Sequence, residues 1–377
     1  MRHLFLTLSF VALLTTLCAQ SPVSQIDITK GLYAFTFQED KEGNVWIGLS
    51  NGDISGDLGF YNGSSFKVVS GSDSIPSGSY HNSIKLPDGS LFFGGNVTDA
   101  NRKPVLIWVT PMDIDTIRIP FSFSDPFINH MSLINRREVW IGTASGLLVN
   151  NRGQWTKMGV ADGLPNNFVT SIIQDYRGIV WVATEGGVVS FIDGILHYPE
   201  SGSRIINKAT SLFSDSKGYV WCGARFASEG VSVYNGQVWE TFSGRNGLID
   251  NSVSVFHQDP KGVLWVGSCF QRNRGGVSSF NGKEWNSFSF PETLAKPCID
   301  AIASDAKGNV WFGGSLTKGN AKGISVFDGK EWFKVGNSNT LKAERVIAFY
   351  LDSKDRLWVS SFEGLFLVQP TFNPSGK

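Results

Sequence analysis

Apolar and polar residues alternate in short runs along almost the whole chain, and one run keeps returning. It reads Asp175-Tyr-Arg-Gly178-Ile-Val-Trp181-Val, Asp215-Ser-Lys-Gly218-Tyr-Val-Trp221, Asp259-Pro-Lys-Gly262-Val-Leu-Trp265 and Asp305-Ala-Lys-Gly308-Asn-Val-Trp311. Further copies are Asp40-Lys-Glu-Gly43-Asn-Val-Trp46 and Asp352-Ser-Lys-Asp355-Arg-Leu-Trp358. Two weaker ones, with shorter turns, are Asp88-Gly-Ser-Leu-Phe92 and Arg137-Glu-Val-Trp140. Their aromatic residues follow one another at steps of 40 to 48 residues, the period of a propeller blade.

Each copy continues in the same way. A Gly-led strand follows (Gly187-Val-Val-Ser-Phe; Gly323-Ile-Ser-Val-Phe), then a turn at Asn62-Gly63, Asp193-Gly194, Asn235-Gly236, Asn281-Gly282 or Asp328-Gly329. A second aromatic strand closes the unit, as at Trp155, Trp239, Trp285 and Trp332. Asn-Gly and Asp-Gly accept the positive φ angles of two-residue hairpins. In Asp-x-x-Gly the carboxylate can take backbone N–H bonds and the glycine the left-handed conformation. Alternation in Val45-Trp46-Ile47-Gly48 puts a large ring on one sheet face, where it fills the wedge between blades. One blade cannot bury both of its faces, so the blades must stack around a ring.

The expected fold is therefore all-β: a β-propeller of four-stranded antiparallel blades, eight of them, with seven the alternative if one weak copy is misread. The last copy lacks an outermost strand, and the strand-like piece at 25–29 is expected to supply it and close the ring. The chain divides into a signal peptide at 1–19 and a single propeller domain at 20–377. Arg2 and His3 precede an apolar run from Leu4 to Leu17, too short for the ~20 residues of a membrane span and suited to a signal peptide cleaved after Ala19. A lipoprotein anchored through Cys18 is the lesser alternative, since Leu17 is bulkier than a lipobox residue. No later stretch has spanning length.

Composition agrees with many tight turns: 42 of 377 residues are glycine, while 41% are apolar. Lys plus Arg and Asp plus Glu number 33 each, so no net field draws the chain to phosphate backbones, and nucleic acid is not an expected partner. After processing three cysteines remain. Cys222 falls in a buried strand as a small apolar residue. Cys269 and Cys298, at loop edges of neighbouring repeats, are the only pair placed for a bridge.

The series Asp-x-x-Gly-x-Val-Trp-Val-Gly-Thr, Gly-Leu, Tyr/Phe-Asp/Asn-Gly-x-x-Trp and Gly-Leu-Pro resembles the two-component regulator propeller repeat over essentially the whole mature chain. The nearest match runs from Ala161-Asp-Gly163-Leu164-Pro165 to Trp181-Val-Ala-Thr184. The resemblance implies the periplasmic sensor half of a hybrid histidine kinase, several of which respond to glycan fragments. Here the repeat complement is about half the usual one, without the following Ig-like domain, membrane span and kinase. Signalling is then expected to need a protein partner such as a separate membrane sensor.

Strand order assigns the loops to two rims. The Asp-x-x-Gly and Asn-Gly turns share a short, uniform rim that reads as scaffold. The other rim carries loops that vary, such as Ala224–Glu229, Ser268–Arg274 and Gly314–Asn320, and function sits on such loops. Residues opening the innermost strands should ring the channel there: Tyr33, Tyr80, His81, Asn129, His130, Asn166, Asn167, Asn207, Lys208, Asn251 and Arg345. Arg225, Phe226, Phe270 and Arg272 should reach it from neighbouring loops. Aromatic rings beside amides and guanidinium groups suit an oligosaccharide or other small-molecule ligand. Each residue also has a plainer role, satisfying loop backbone.

Catalytic patterns are sparse. His81 and His130, from adjacent blades, have no third ligand for zinc, and His257 reads as a core residue. Gly-x-Ser-x-Gly, a P-loop and His-Glu-x-x-His are all absent. Asp-x-x-Gly offers one carboxylate per turn, too few oxygens for calcium. No cofactor and no metal are expected. The function read from sequence is an exported, non-catalytic recognition module. A propeller-fold lyase or hydrolase and a structural surface protein are the alternatives.

Overall fold

The computed structural model describes residues 21–72, 75–98, 104–121, 127–199, 209–224, 230–270, 274–288, 298–314, 324–335, 341–343 and 345–373, except the side chains of 269, 270 and 274. Within them lie eight four-stranded antiparallel sheets. Seven are built from four strands consecutive in sequence. The eighth combines Val346–Leu351, Leu357–Ser361 and Gly364–Val368 with Val23–Ile26 from the start of the domain.

The inner strands of blades one to eight begin at Tyr33, Ser79, Ile128, Val169, Ser211, Val253, Ala301 and Val346. Each lies beside the next, and the first also packs against the last, so the sheets form a closed ring. The closing strand pairs Val23 with Val368 and Ile26 with Leu365. It lies earlier than the expected 25–29. The chain has already turned by then: Leu32 N–H donates to Thr29 O at 3.1 Å, and Thr29 Oγ1 donates to Asp57 at 2.9 Å.

The apolar cores lie at the seams between blades. One joins Trp221, Val231 and Val233 of blade five to Val253, Leu264 and Trp285 of blade six. Another joins Trp311 and Val326 of blade seven to Val346, Val359 and Phe366 of blade eight. The repeat tryptophans are nearly sealed: Trp221 and Trp311 are 1% exposed and Trp358 is 0% exposed. Burying ~150–250 Å² of ring at ~25 cal/mol/Å² is worth roughly 4–6 kcal/mol each, an upper estimate.

The repeated aspartates orient these rings. In Asp40, Asp175, Asp215, Asp259, Asp305 and Asp352 one oxygen accepts two backbone N–H bonds across the turn, as with Lys217 and Tyr219 on Asp215, both at 2.9 Å. The second oxygen accepts the indole Nε1–H six residues on, at distances from 2.8 Å for Trp46 to 3.1 Å for Trp181. A charged hydrogen bond contributes ~1.5–3 kcal/mol net, less than burial of the ring. Packing therefore supplies the stability and the carboxylate sets the ring's orientation. The glycine of the Trp-x-Gly strand answers a different need, close approach: a Cβ on Gly313 would sit 2.5 Å from Cβ of Val346 in the next blade.

Cys222 is a free, buried thiol, and Cys298 is disulfide-bonded. Ile299 N–H donates to Ser268 O at 3.3 Å, which sets Cys298 beside the backbone of Cys269; the Cys269 side chain lies outside the described residues.

Candidate functional site at the channel mouth

Six inner strands carry a β-bulge just after their start, leaving Phe35, His81, Asn129, Thr170, Ser254 and Ile347 without a ladder partner. A bulge turns a side chain out of the sheet's alternation. At three of these positions the polar group bridges to the next blade. Asn129 Nδ2 donates to Val169 O at 2.9 Å, Thr170 Oγ1 to Ala209 O at 3.1 Å, and Ser254 Oγ to Ile299 O. Asn82, beside the blade-two bulge, donates to Ile128 O at 2.8 Å. These bonds belt the ring at its loop-side end.

Across blades eight, one, two and three the same level is aromatic. Phe362, in the two-residue turn between Ser361 and Gly364, packs on Tyr33 with ring centroids 4.6 Å apart. Phe35 meets His81 edge-on at 4.7 Å, and His81 meets Phe127 at 5.3 Å. Arg345 lies 4.2 Å above the Phe362 ring and pairs with Glu363 at 3.3 Å. Phe362 is 39% exposed, and Tyr33, Phe35, His81 and Phe127 are half-buried. The result is an arc of rings with one ion pair at its blade-eight end.

His81 Nδ1 and His130 Nδ1 are buried and have no hydrogen-bond partner. Burial pushes the His81 pKa down and that of His130 to about 4, so both rings are neutral near pH 7. His130 keeps some exposed surface, but its Nδ1 is buried and without a partner, so desolvation prevails. Among the described residues no cluster of three or more His, Cys, Asp or Glu is arranged to hold a metal, and no helix is long and apolar enough to cross a membrane.

The residues expected at this mouth thus divide. Tyr33, His81 and Arg345 join the arc. Tyr80 does not: it is 0% exposed, its hydroxyl donates to Pro76 O, and burial raises its pKa. Asn129 serves the belt. Asn166, Asn167 and Asn251 accept backbone N–H bonds from Phe168 at 2.7 Å, Val160 at 2.9 Å and Gly244 at 2.7 Å, holding their own loops. Asn207, Lys208, Arg225, Phe226, Arg272 and the side chain of Phe270 lie outside the described residues. Phe35, Phe127, Phe362 and Glu363 were not anticipated. Phe362 had a signal: blades three and four have Ala144-Ser145 and Glu185-Gly186 in the matching turn, so a ring there stands out.

The rim of the aspartate turns, expected to be scaffold alone, also holds cavities. One of about 540 Å³ opens between blades one and two beside Asp40, Trp46 and Met112. Another of about 240 Å³ lies between blades four and five.

No curated protein matches the chain. Among solved structures it is similar to the extracellular domain of a hybrid two component system from B. thetaiotaomicron, with 18% identity and a TM-score of 0.45, over 90% of this chain and 56% of that one. The chain therefore spans little more than half the length of that relative. It is also similar to virginiamycin B lyase from Staphylococcus aureus (11% identity, TM-score 0.55, 88% of this chain and 99% of that one). A third is YCF48 bound to D1 peptide, at 11% identity and TM-score 0.55, over 93% and 98% of the two chains. These likenesses are of fold. The model of the two component regulator propeller family matches residues 163–186 and 247–270, each running from a Gly-Leu loop through an inner strand and its aspartate turn to the following tryptophan strand. With that match and eight four-stranded blades, the chain is a β-propeller in which segments 163–186 and 247–270 match the two component regulator propeller repeat.

Proposed function

We propose that the protein is an exported recognition propeller, without catalytic activity of its own, that binds a small-molecule ligand such as an oligosaccharide at its loop-side channel mouth. The observation behind this reading is the aromatic arc from Phe362 through Tyr33, Phe35 and His81 to Phe127, with Arg345 and Glu363 beside it. Ring faces take the C–H faces of a sugar, and the guanidinium and carboxylate take its hydroxyls. The family match to regulator propellers supports sensing, with the bound state read by a separate membrane sensor. A catalytic reading finds less support. His81 is flanked by two phenylalanine rings and its Nδ1 has no carboxylate to orient it.

Calorimetric titration of the whole protein with an oligosaccharide panel tests the proposal. Phe362→Ala and Arg345→Ala should each weaken the binding found by about tenfold or more, with little change in Tm because both residues are exposed. Binding that survives both changes, or that is lost instead on altering the Asn235-Gly236 hairpin of the opposite rim, would refute it.

A further inference from the structure

Because the blades repeat, one blade shows what another lacks. In blade five the outer-strand residue Phe242 pairs in register with Val231 and stacks beside Trp221, centroids 6.4 Å apart and planes 26° apart. In blade six Phe288 pairs with Val277 and lies 5.6 Å from Trp265. Blade four keeps the tryptophan, Trp181, but its outer strand ends at His197 opposite Ser190. Continuing that register brings Pro199 to the place of the phenylalanine. Ser190 stands opposite Trp181 as Ser279 stands opposite Trp265 in blade six, so the serine is common to both blades and the outer-strand position is what differs. The exchange of phenylalanine for Pro199 removes bulk from the face that carries Trp181.

The consequence is the cavity of about 240 Å³ between Ile179, Trp181, Ser190 and Pro199 of blade four and Tyr234 and Trp239 of blade five. The two indoles meet at 85° with centroids 5.8 Å apart, giving an aromatic corner. Among the described residues no Asp, Glu, Lys or Arg lines it. Two apolar side chains stand out at its edge: Ile192, which lines it, is 40% exposed, and Ile195, its partner across the hairpin, is 63% exposed. Clustered exposure of this kind marks an interaction surface. The volume falls below the ~300–1,000 Å³ of most small-molecule sites and fits one large side chain, as in a hot-spot pocket.

We propose that the cleft between blades four and five is a docking site for a protein segment presenting a phenylalanine-like side chain, which takes the place that Phe242 and Phe288 occupy in the neighbouring blades. The protein's own packing is the template: a benzyl ring is what this repeat sets against its tryptophan when the outer strand provides one. The site is separate from the channel mouth. Gln237, in the hairpin on the aspartate rim, contributes to its wall.

The test uses the whole protein with two probes, N-acetyl-phenylalanine amide and a displayed library of random twelve-residue peptides. Pro199→Phe fills the cavity from within, and Ile192→Glu places a charge at its mouth. The library should enrich peptides containing Phe, Tyr or Trp, and the amide should compete with them. Binding should fall by about tenfold or more in both variants and stay unchanged in Phe362→Ala, which separates this site from the channel mouth. Enrichment of peptides without aromatic residues, no enrichment, equal binding to the variants, or displacement by methyl glucoside but not by the amide would each overturn the proposal. If Pro199→Phe does not fold, Ile192→Glu decides alone, because Ile192 is 40% exposed.

Discussion

The carboxylate of Glu39, in blade one, accepts hydrogen bonds from the backbone N–H of Ser353 at 2.9 Å and from its hydroxyl at 2.7 Å, across 314 residues of sequence. Glu39 is 7% exposed while Ser353 is exposed, so the two bonds satisfy a buried carboxylate from the surface side. They join blade eight to blade one at the turn side of the inner strands, while the strand Val23–Ile26 joins them further out. Tyr350, at the same seam, has its pKa pushed up to about 12 by burial and then by the Glu39 charge.

Glu39→Ala should therefore lower unfolding stability by about 1–2 kcal/mol, because two hydrogen bonds to the buried carboxylate are lost while the exposed Ser353 turns to water. Glu39→Gln keeps an acceptor oxygen and should cost about half as much. Urea denaturation monitored by tryptophan fluorescence measures both. A change below about 0.5 kcal/mol for the alanine variant would show that the clasp contributes nothing to closure.

Deleting residues 21–26 should open the ring. The strand Gly364–Val368 would then present an unpaired edge, a template for pairing with other chains. The expected result is a lower Tm and mass that grows with concentration in light scattering. A monomer with unchanged Tm would mean that closure does not depend on this strand.

Stability should fall as pH drops below about 6.5. His130 has its pKa lowered to about 4 by burial, and His81 is lowered by the same cause. Between about 6.5 and about 4 the unfolded chain holds a proton on His130 that the folded chain does not, so acid favours unfolding there and stability is full only above that window. Tm measured from pH 7.5 to 5 should show a shallower decline for His130→Gln than for the wild type. Identical slopes would contradict this assignment.

Much of the scaffold was legible because its signals are local. Asp215 and Gly218 form their turn, and Asn235-Gly236 its hairpin, from bonds within a few residues. Alternation around Trp221 then tells which face is buried. The site was harder to read. Tyr33, His81 and Arg345 were found by their place at strand starts, but Tyr80, in the same kind of place, faces the core. The bulge between Tyr80 and Asn82 makes that difference, and bulges leave little trace in side-chain chemistry. Phe127 and Phe362 lie in different blades, and only ring closure brings the blade-eight turn beside Tyr33.

By itself the sequence determined the blade, the division of loops between two rims, and the need for an N-terminal strand to complete the last sheet, and it pointed to eight blades with seven the alternative. Each of these follows from hydrogen bonding and alternation repeated every 40 to 48 residues. Only the tertiary structure decided which rings meet at the channel mouth, which aspartate oxygen holds each indole, and that the seam beside Trp181 stays open. Those outcomes depend on side chains from two blades meeting at one seam, and the distance between such residues is set by closing the ring rather than by their spacing along the chain.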